Sequence, residues 1–156
     1  MSIELKVGLV FRWNNFPDNR YGDGDKARWF ICVGFTGAFS QIALVHSYTT
    51  TTQLHHFESG GFRRGHSHFI FKCAEHICFE QDCAIDFDES PYSISIVKIA
   101  QFGPDIEEKG TLREETMRMI YKRTIGSRQI SLMVKKDIYN SYNLAGITGL
   151  KKPKRS

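Results

Sequence analysis

Arg28-Trp29-Phe30-Ile31-Cys32-Val33-Gly34-Phe35 is the stretch on which the fold turns. Its aromatic and β-branched side chains suit a pleated surface packed by neighbours, so it reads as a strand. Upstream, Leu5 to Trp13 has the same character and predicts a second strand. Between them, residues 14–25 hold Pro17, Gly22 and Gly24 among Asn and Asp, the composition of an exposed loop. Downstream, a strand is expected from Gln41 to Tyr48, running into the four threonines Thr49 to Thr52. Phe69 to Lys72, Ala84 to Phe87 and Tyr92 to Ile99 add short strands, and Ser93-Ile94-Ser95-Ile96 alternates with period two.

Helical signals are confined to the last third. Thr111 and Glu114 form a Thr-x-x-Glu capping box, followed by Leu112, Met119 and Ile120 at helical spacing and by Gly126 as a stop. Gln129 to Val134 is a candidate strand and Lys136 to Asn143 a candidate short second helix. The expectation is a mainly β fold with one or two helices, a strongly bent sheet or barrel against which a helix packs. Neither repeats nor linkers divide it, so residues 1–150 are expected as one domain and 151–156 as a basic tail.

With 156 residues, 41% of them hydrophobic and 13% aromatic, the chain can bury a sizeable core without covalent staples. Cys32, Cys73, Cys78 and Cys83 are therefore expected as reduced thiols. No apolar stretch approaches the length of a membrane span, and Met1 to Lys6 has no secretory character, so no membrane is expected and a cytoplasmic address is. Net charge is +4, and Lys151, Lys152, Lys154 and Arg155 account for the whole excess. Such a tail either steers a polyanion or is simply solvated.

Chemistry enters at the sheet's edge. Lys26 and Arg28 begin one strand, and Thr50-Thr51-Thr52-Gln53 ends the next. If those strands pair antiparallel, the guanidinium and the hydroxyls meet. A planar charged fork beside a hydroxyl is a candidate phosphate site. Alone, a threonine run is also what an ordinary strand contains.

The order of elements resembles the MazF/PemK family of toxin endoribonucleases. Residues that carry the resemblance are Gly8 at the opening of the first strand, Lys26 and Arg28 leading into Phe30 to Val33, and Thr51-Thr52-Gln53. Val97-Lys98-Ile99, Lys109-Gly110-Thr111-Leu112 and the following segment to Ile120 resemble the family's final strand, turn and helix. The similarity covers roughly residues 5 to 125. Trp29 stands where the family carries proline, and His55 to His76 is a longer, His-rich segment.

The resemblance implies an SH3-like barrel with a C-terminal helix, working as a homodimer. It implies a type II toxin that cleaves single-stranded RNA without metal or cofactor, held off by an antitoxin protein. Arg28 and Thr51 become the catalytic pair, with Asp23, Lys26, Thr52, Gln53 and Trp29 at the substrate. A barrel that binds RNA or a protein partner without cleavage is the alternative. Among aromatics near the loop, Trp13, Phe16, Tyr21 and Trp29 are candidates either for base stacking or for core.

A second constellation gathers His55, His56, His66, His68 and His76 with Cys73, Cys78 and Cys83. These are zinc-ligand types, but no C-x-x-C pair is present, which favours buried thiols and loop histidines over a metal. His56 and His66 are candidate acid–base groups. Arg63 and Arg64, among Gly60, Gly61 and Gly65, make a basic loop suited to phosphate contact or to simple flexibility.

Overall fold

A computed structural model of the chain describes residues 4–18, 26–37 and 44–154. Five strands form one antiparallel sheet in the order β6-β3-β2-β1-β7: β1 (Leu9–Trp13), β2 (Arg28–Phe35), β3 (Leu44–Thr49), β6 (Tyr92–Ser95) and β7 (Ile106–Thr111). A two-stranded ribbon, β4 (His68–Phe71) and β5 (Cys83–Asp86), is tied to the end of β3 by an isolated bridge between Thr51 and Ala84. Three α-helices follow or interrupt the strands: α1 (Ile96–Gln101), α2 (Glu114–Gly126) and α3 (Leu132–Leu144). The chain is thus mainly β, with three helices where one or two were expected. Among the described residues β6 and β7 remain the two edges of an open sheet.

β2 sits at the centre, and Phe30 to Phe35 are all buried. On one side an aromatic cluster forms around Phe30, whose ring lies 5.3 Å from Phe11, 5.0 Å from Phe16 and 5.6 Å from Tyr92. Trp13 and Phe16 are fully buried in that cluster, which makes them core and removes them as base-stacking candidates. Tyr21 lies outside the described residues. α3 is anchored to β2 by Ser141, whose Oγ accepts from the Phe35 amide at 2.9 Å and donates to the Asp137 carbonyl at 2.7 Å. β3 is pinned through buried His46: Nε2 donates to Asp137 at 3.0 Å, and Nδ1 then accepts from Ser93 Oγ at 2.7 Å.

Several boundaries differ from those expected, each for a local reason. The first strand begins at Leu9 rather than Leu5, because Gly8 adopts φ +93° and breaks the extended run. Tyr92 to Ile99 is not one strand: Ser95 accepts from the Val97 amide at 3.2 Å and caps α1. The strand expected at Val97 to Ile99 is accordingly helical, within α1. Thr111 does not cap a helix. It is paired with Leu9 as the last residue of β7, and Leu112 continues with an amide bond to Gly8 at 2.9 Å, so α2 starts only at Glu114. Gln129 to Val134 forms no strand, since Ser131 caps a single longer helix through the Val134 amide at 3.2 Å.

The tail is tethered at its root, where the Tyr121 hydroxyl donates to the Lys151 carbonyl. Among the described residues no helix is long and apolar enough to cross a membrane. All four cysteines are free thiols, and burial pushes Cys32 up to about 12.

Gly34 is the point of closest approach between β2 and α3. A Cβ there would lie 3.0 Å from Ile138 Cα and 3.2 Å from both Ile138 Cγ1 and Ser141 Oγ, so backbone would have to move. We expect Gly34→Ala to destabilise the fold by about 1–3 kcal/mol, the usual cost of overpacking a core, read as a lower urea midpoint with unchanged m.

Candidate functional site

Register places the arginine and the threonine. In the β2–β3 ladder Phe30 lies opposite Thr49, and the Thr50 amide donates to the Trp29 carbonyl at 3.1 Å. Continuing the antiparallel pairing by two residues sets Arg28 across from Thr51, and directly opposed residues project to the same face. Both line one cavity of about 180 Å³, together with Tyr48, Thr49, Thr50, Gln53, His56, Arg63, Ala84, Asp86, Glu89 and Ser90.

Thr51 is held by an exchange of backbone bonds with Ala84, at 3.0 and 2.9 Å, while its hydroxyl accepts from the Gln53 amide at 3.1 Å. That leaves the hydroxyl proton able to donate into the cavity. Arg28 is half-buried at the start of β2 and lines the cavity, with its Nε buried.

The far wall is a loop fastened by one buried carboxylate. The Asp86 side chain is 4% exposed and receives His66 Nδ1 at 2.7 Å, Arg63 Nη1 at 3.4 Å and the Asp88 amide at 2.9 Å. Arg63 reaches on to Glu89 at 3.3 Å and stacks its guanidinium over Phe62 at 5.3 Å. Its backbone amide bonds the His56 carbonyl at 2.8 Å. Arg63 therefore acts as a strut that brings the 3-10 turn Leu54–Phe57, and His56 with it, against the cavity.

His56 rests against His55 and Phe62, with ring centroids 4.3 and 4.2 Å away. Its pKa is lowered from the usual imidazole value by partial loss of solvent, then by the charges of His55 and Arg63. A neutral imidazole at neutral pH can accept a proton.

Of the residues singled out in the sequence, Arg28, Thr50, Thr51, Gln53, His56 and Arg63 come together here. Trp29 and Thr52 do not: they line a smaller adjoining cavity with Phe79, Glu80, Gln81 and Cys83, as strand alternation dictates. Trp29 is held there between Phe79, at 6.0 Å, and Lys109, whose ammonium lies 5.5 Å from the ring centre. Lys26 and Arg64 are exposed outside the cavity, Arg64 bonding the Gly61 carbonyl at 3.0 Å. Asp23 lies outside the described residues.

Asp86 and Glu89 line the cavity and were not singled out. A visible signal existed for Asp86, a lone carboxylate inside the apolar run Cys83-Ala84-Ile85-Asp86-Phe87, because a buried acid demands partners. His66, Asp86 and Asp88 bring three metal-ligand atoms within 4.8 Å of one another. Arg63 on the same Asp86 oxygen opposes a cation there, and among the described residues no cysteine joins such a group.

Comparison of the chain with protein-family models, with curated proteins and with solved structures returns no match.

Replacing Asp86 by Asn removes the charge from the acceptor shared by Arg63 and His66 and leaves Arg63 with Glu89 as its carboxylate partner. Such a loss of a charged hydrogen-bond partner costs about 1–3 kcal/mol, and we expect Asp86→Asn to lower the urea midpoint accordingly. Unchanged stability would show that the carboxylate does not hold the loop.

Proposed function

We propose that this chain is a metal-independent endoribonuclease that cleaves single-stranded RNA through the substrate's own 2′-hydroxyl. The observation that supports it is the shared cavity of Arg28, Thr51 and His56. One phosphodiester fits that chemistry. The 2′-oxygen bonds to phosphorus as the bond to the 5′-oxygen breaks, leaving a cyclic phosphate and a free 5′-hydroxyl. His56 takes the 2′-hydroxyl proton, and solvent supplies one to the departing oxygen. Arg28, charged at any working pH, answers the extra negative charge on the phosphorane, and Thr51 donates to a non-bridging oxygen. Gln53 positions the neighbouring nucleotide. Since the nucleophile belongs to the substrate, the protein's contribution is orientation and charge.

The resemblance to MazF/PemK toxins extends the proposal to a cytoplasmic type II toxin, a homodimer restrained by an antitoxin. The SH3-like barrel belongs to the same proposal, with the open five-stranded sheet and the β4–β5 ribbon as its two walls.

Purified protein incubated with single-stranded RNA in EDTA should yield discrete fragments ending in a cyclic phosphate. Arg28→Ala and Thr51→Ala should each lower the rate by on the order of 10² to 10³, the scale for removing one stabiliser of transition-state charge. Binding without scission would leave an RNA-binding module, and no interaction with RNA at all would sink both.

The pH profile tests the base. With its pKa below 6.5, His56 is neutral and competent above that value and protonated below it, so kcat/KM should fall as pH drops through the lowered pKa. His56→Gln should abolish this acid limb along with most of the rate.

A further inference from the structure

The cavity just described has room for little more than one phosphate and its ribose, yet a larger groove opens beside it. Its volume is about 670 Å³, and its lining includes Ser67, Asp88, Lys122, Arg123, Arg128 and Gln129. Three of these are cations, two from the last turns of α2 and one from the connection to α3, against the single carboxylate of Asp88. Lys122, Arg123 and Arg128 are exposed. Arg123 bonds the Ser67 hydroxyl at 3.2 Å, and among the described residues none of the three is paired with a carboxylate. Part of this charge complements the negative end of the α2 dipole, but three full charges exceed the roughly half charge found there.

The groove is built onto the candidate site rather than merely near it. Ser127 Oγ donates to the Phe87 carbonyl at 2.8 Å and fixes the end of α2 to the end of β5. Ser67 adjoins His66, which bonds Asp86 at 2.7 Å, and the Phe87 amide returns to the Ser67 carbonyl at 2.8 Å. The two cavities are thus tied through one short segment, with Asp86 lining the first and Asp88 and Ser67 lining the second.

We propose that this groove binds the sugar–phosphate backbone of single-stranded RNA flanking the reacting phosphate, a subsite that rests on the nuclease reading for its substrate. Lys122, Arg123 and Arg128 contact phosphates, and Ser67 and Gln129 offer hydrogen bonds to phosphate or 2′-hydroxyl oxygens. Such contacts position the chain without reading its bases.

The test is binding of a fluorescent single-stranded RNA dodecamer, followed by anisotropy from low to moderate salt in the Arg28→Ala background, where cutting is slow enough for binding to be read first. Replacing Lys122, Arg123 and Arg128 together by Gln should weaken binding and flatten the plot of log K against log salt by about 2, as loss of three single-strand phosphate contacts requires. The same three substitutions with Arg28 intact should raise KM for the dodecamer while leaving kcat for a dinucleotide unchanged. A variant with Lys151, Lys152 and Lys154 replaced by Gln removes equal charge elsewhere and should keep the steeper slope. An unchanged slope in the groove variant, or an equal loss in both variants, overturns the subsite. Groove-dependent binding by a protein that cuts nothing would leave the subsite standing and remove the nuclease, whereas cutting with an unaltered slope would do the reverse.

Discussion

Burial of β2 on both faces is the constraint from which the rest follows. Phe30 must enter the aromatic cluster with Phe11, Phe16 and Tyr92, and Gly34 must lie under Ile138 and Ser141 of α3. A slip of one residue would exchange the faces and put side chains where only glycine fits, so register is fixed from both sides. Arg28, two residues before Phe30, inherits that fixity although it packs in no core. The β2–β3 register shifts by one residue at a bulge between Cys32 and Gly34, but on the Arg28 side of it Phe30, Ile31 and Cys32 stay paired with Thr49, Tyr48 and Ser47, so Thr51 inherits its place from that segment. The geometry of the candidate site is thus a by-product of hydrophobic packing several ångströms away.

Asp86 plays the corresponding part for the opposite wall. A carboxylate only 4% exposed is tolerable because three donors converge on it, and two of them come from the loop that would otherwise have little to hold it. The loop's apolar content is small, and Phe62 is largely exposed. Its position therefore depends on charge and hydrogen bonding, which makes it the part of the site most sensitive to salt and substitution.

What the sequence discloses follows the range of the interactions responsible. β2 and β3 are legible because their strand character is written in consecutive residues, and pairing them antiparallel places Arg28 near Thr51 by counting alone. Helix α2 is legible in extent but not in its start, because the Thr111–Glu114 box competes with a ladder to Leu9, a partner more than a hundred residues away. Ser95 and Ser131 act as caps inside stretches whose neighbours alternate like strands, a choice settled by the packing of Ile99 and Ile138 in the core. Trp29 illustrates a subtler limit. Adjacent to Arg28 in sequence, it faces the other way, and period two alone separates it from the cavity. The loop from His55 to His66 invites a metal reading by composition, whereas its order comes from Asp86 on a strand some twenty residues later.

Two histidines show why residue type alone does not assign chemistry. His46 is 1% exposed, and both ring nitrogens are committed, one to Asp137 and one to Ser93, so its imidazole joins β3, β6 and α3. The ring ties three elements together and lines neither the Arg28–Thr51 cavity nor the groove beside it, and it is structural for that reason. His56 borders open space, with His55 and Phe62 against its ring, and partial loss of solvent, more than nearby charge, lowers its pKa. Its immediate environment disfavours charge without spending the lone pair that a proton acceptor needs. Partial loss of solvent is the main cause of the lowered proton affinity of His56, with the charges of His55 and then Arg63 adding to it, while the Arg63 backbone amide holds the turn in place. The position of the imidazole therefore depends on Arg63, itself fixed by the carboxylate of Asp86, whereas its reactivity is set chiefly by how far the turn withdraws it from solvent.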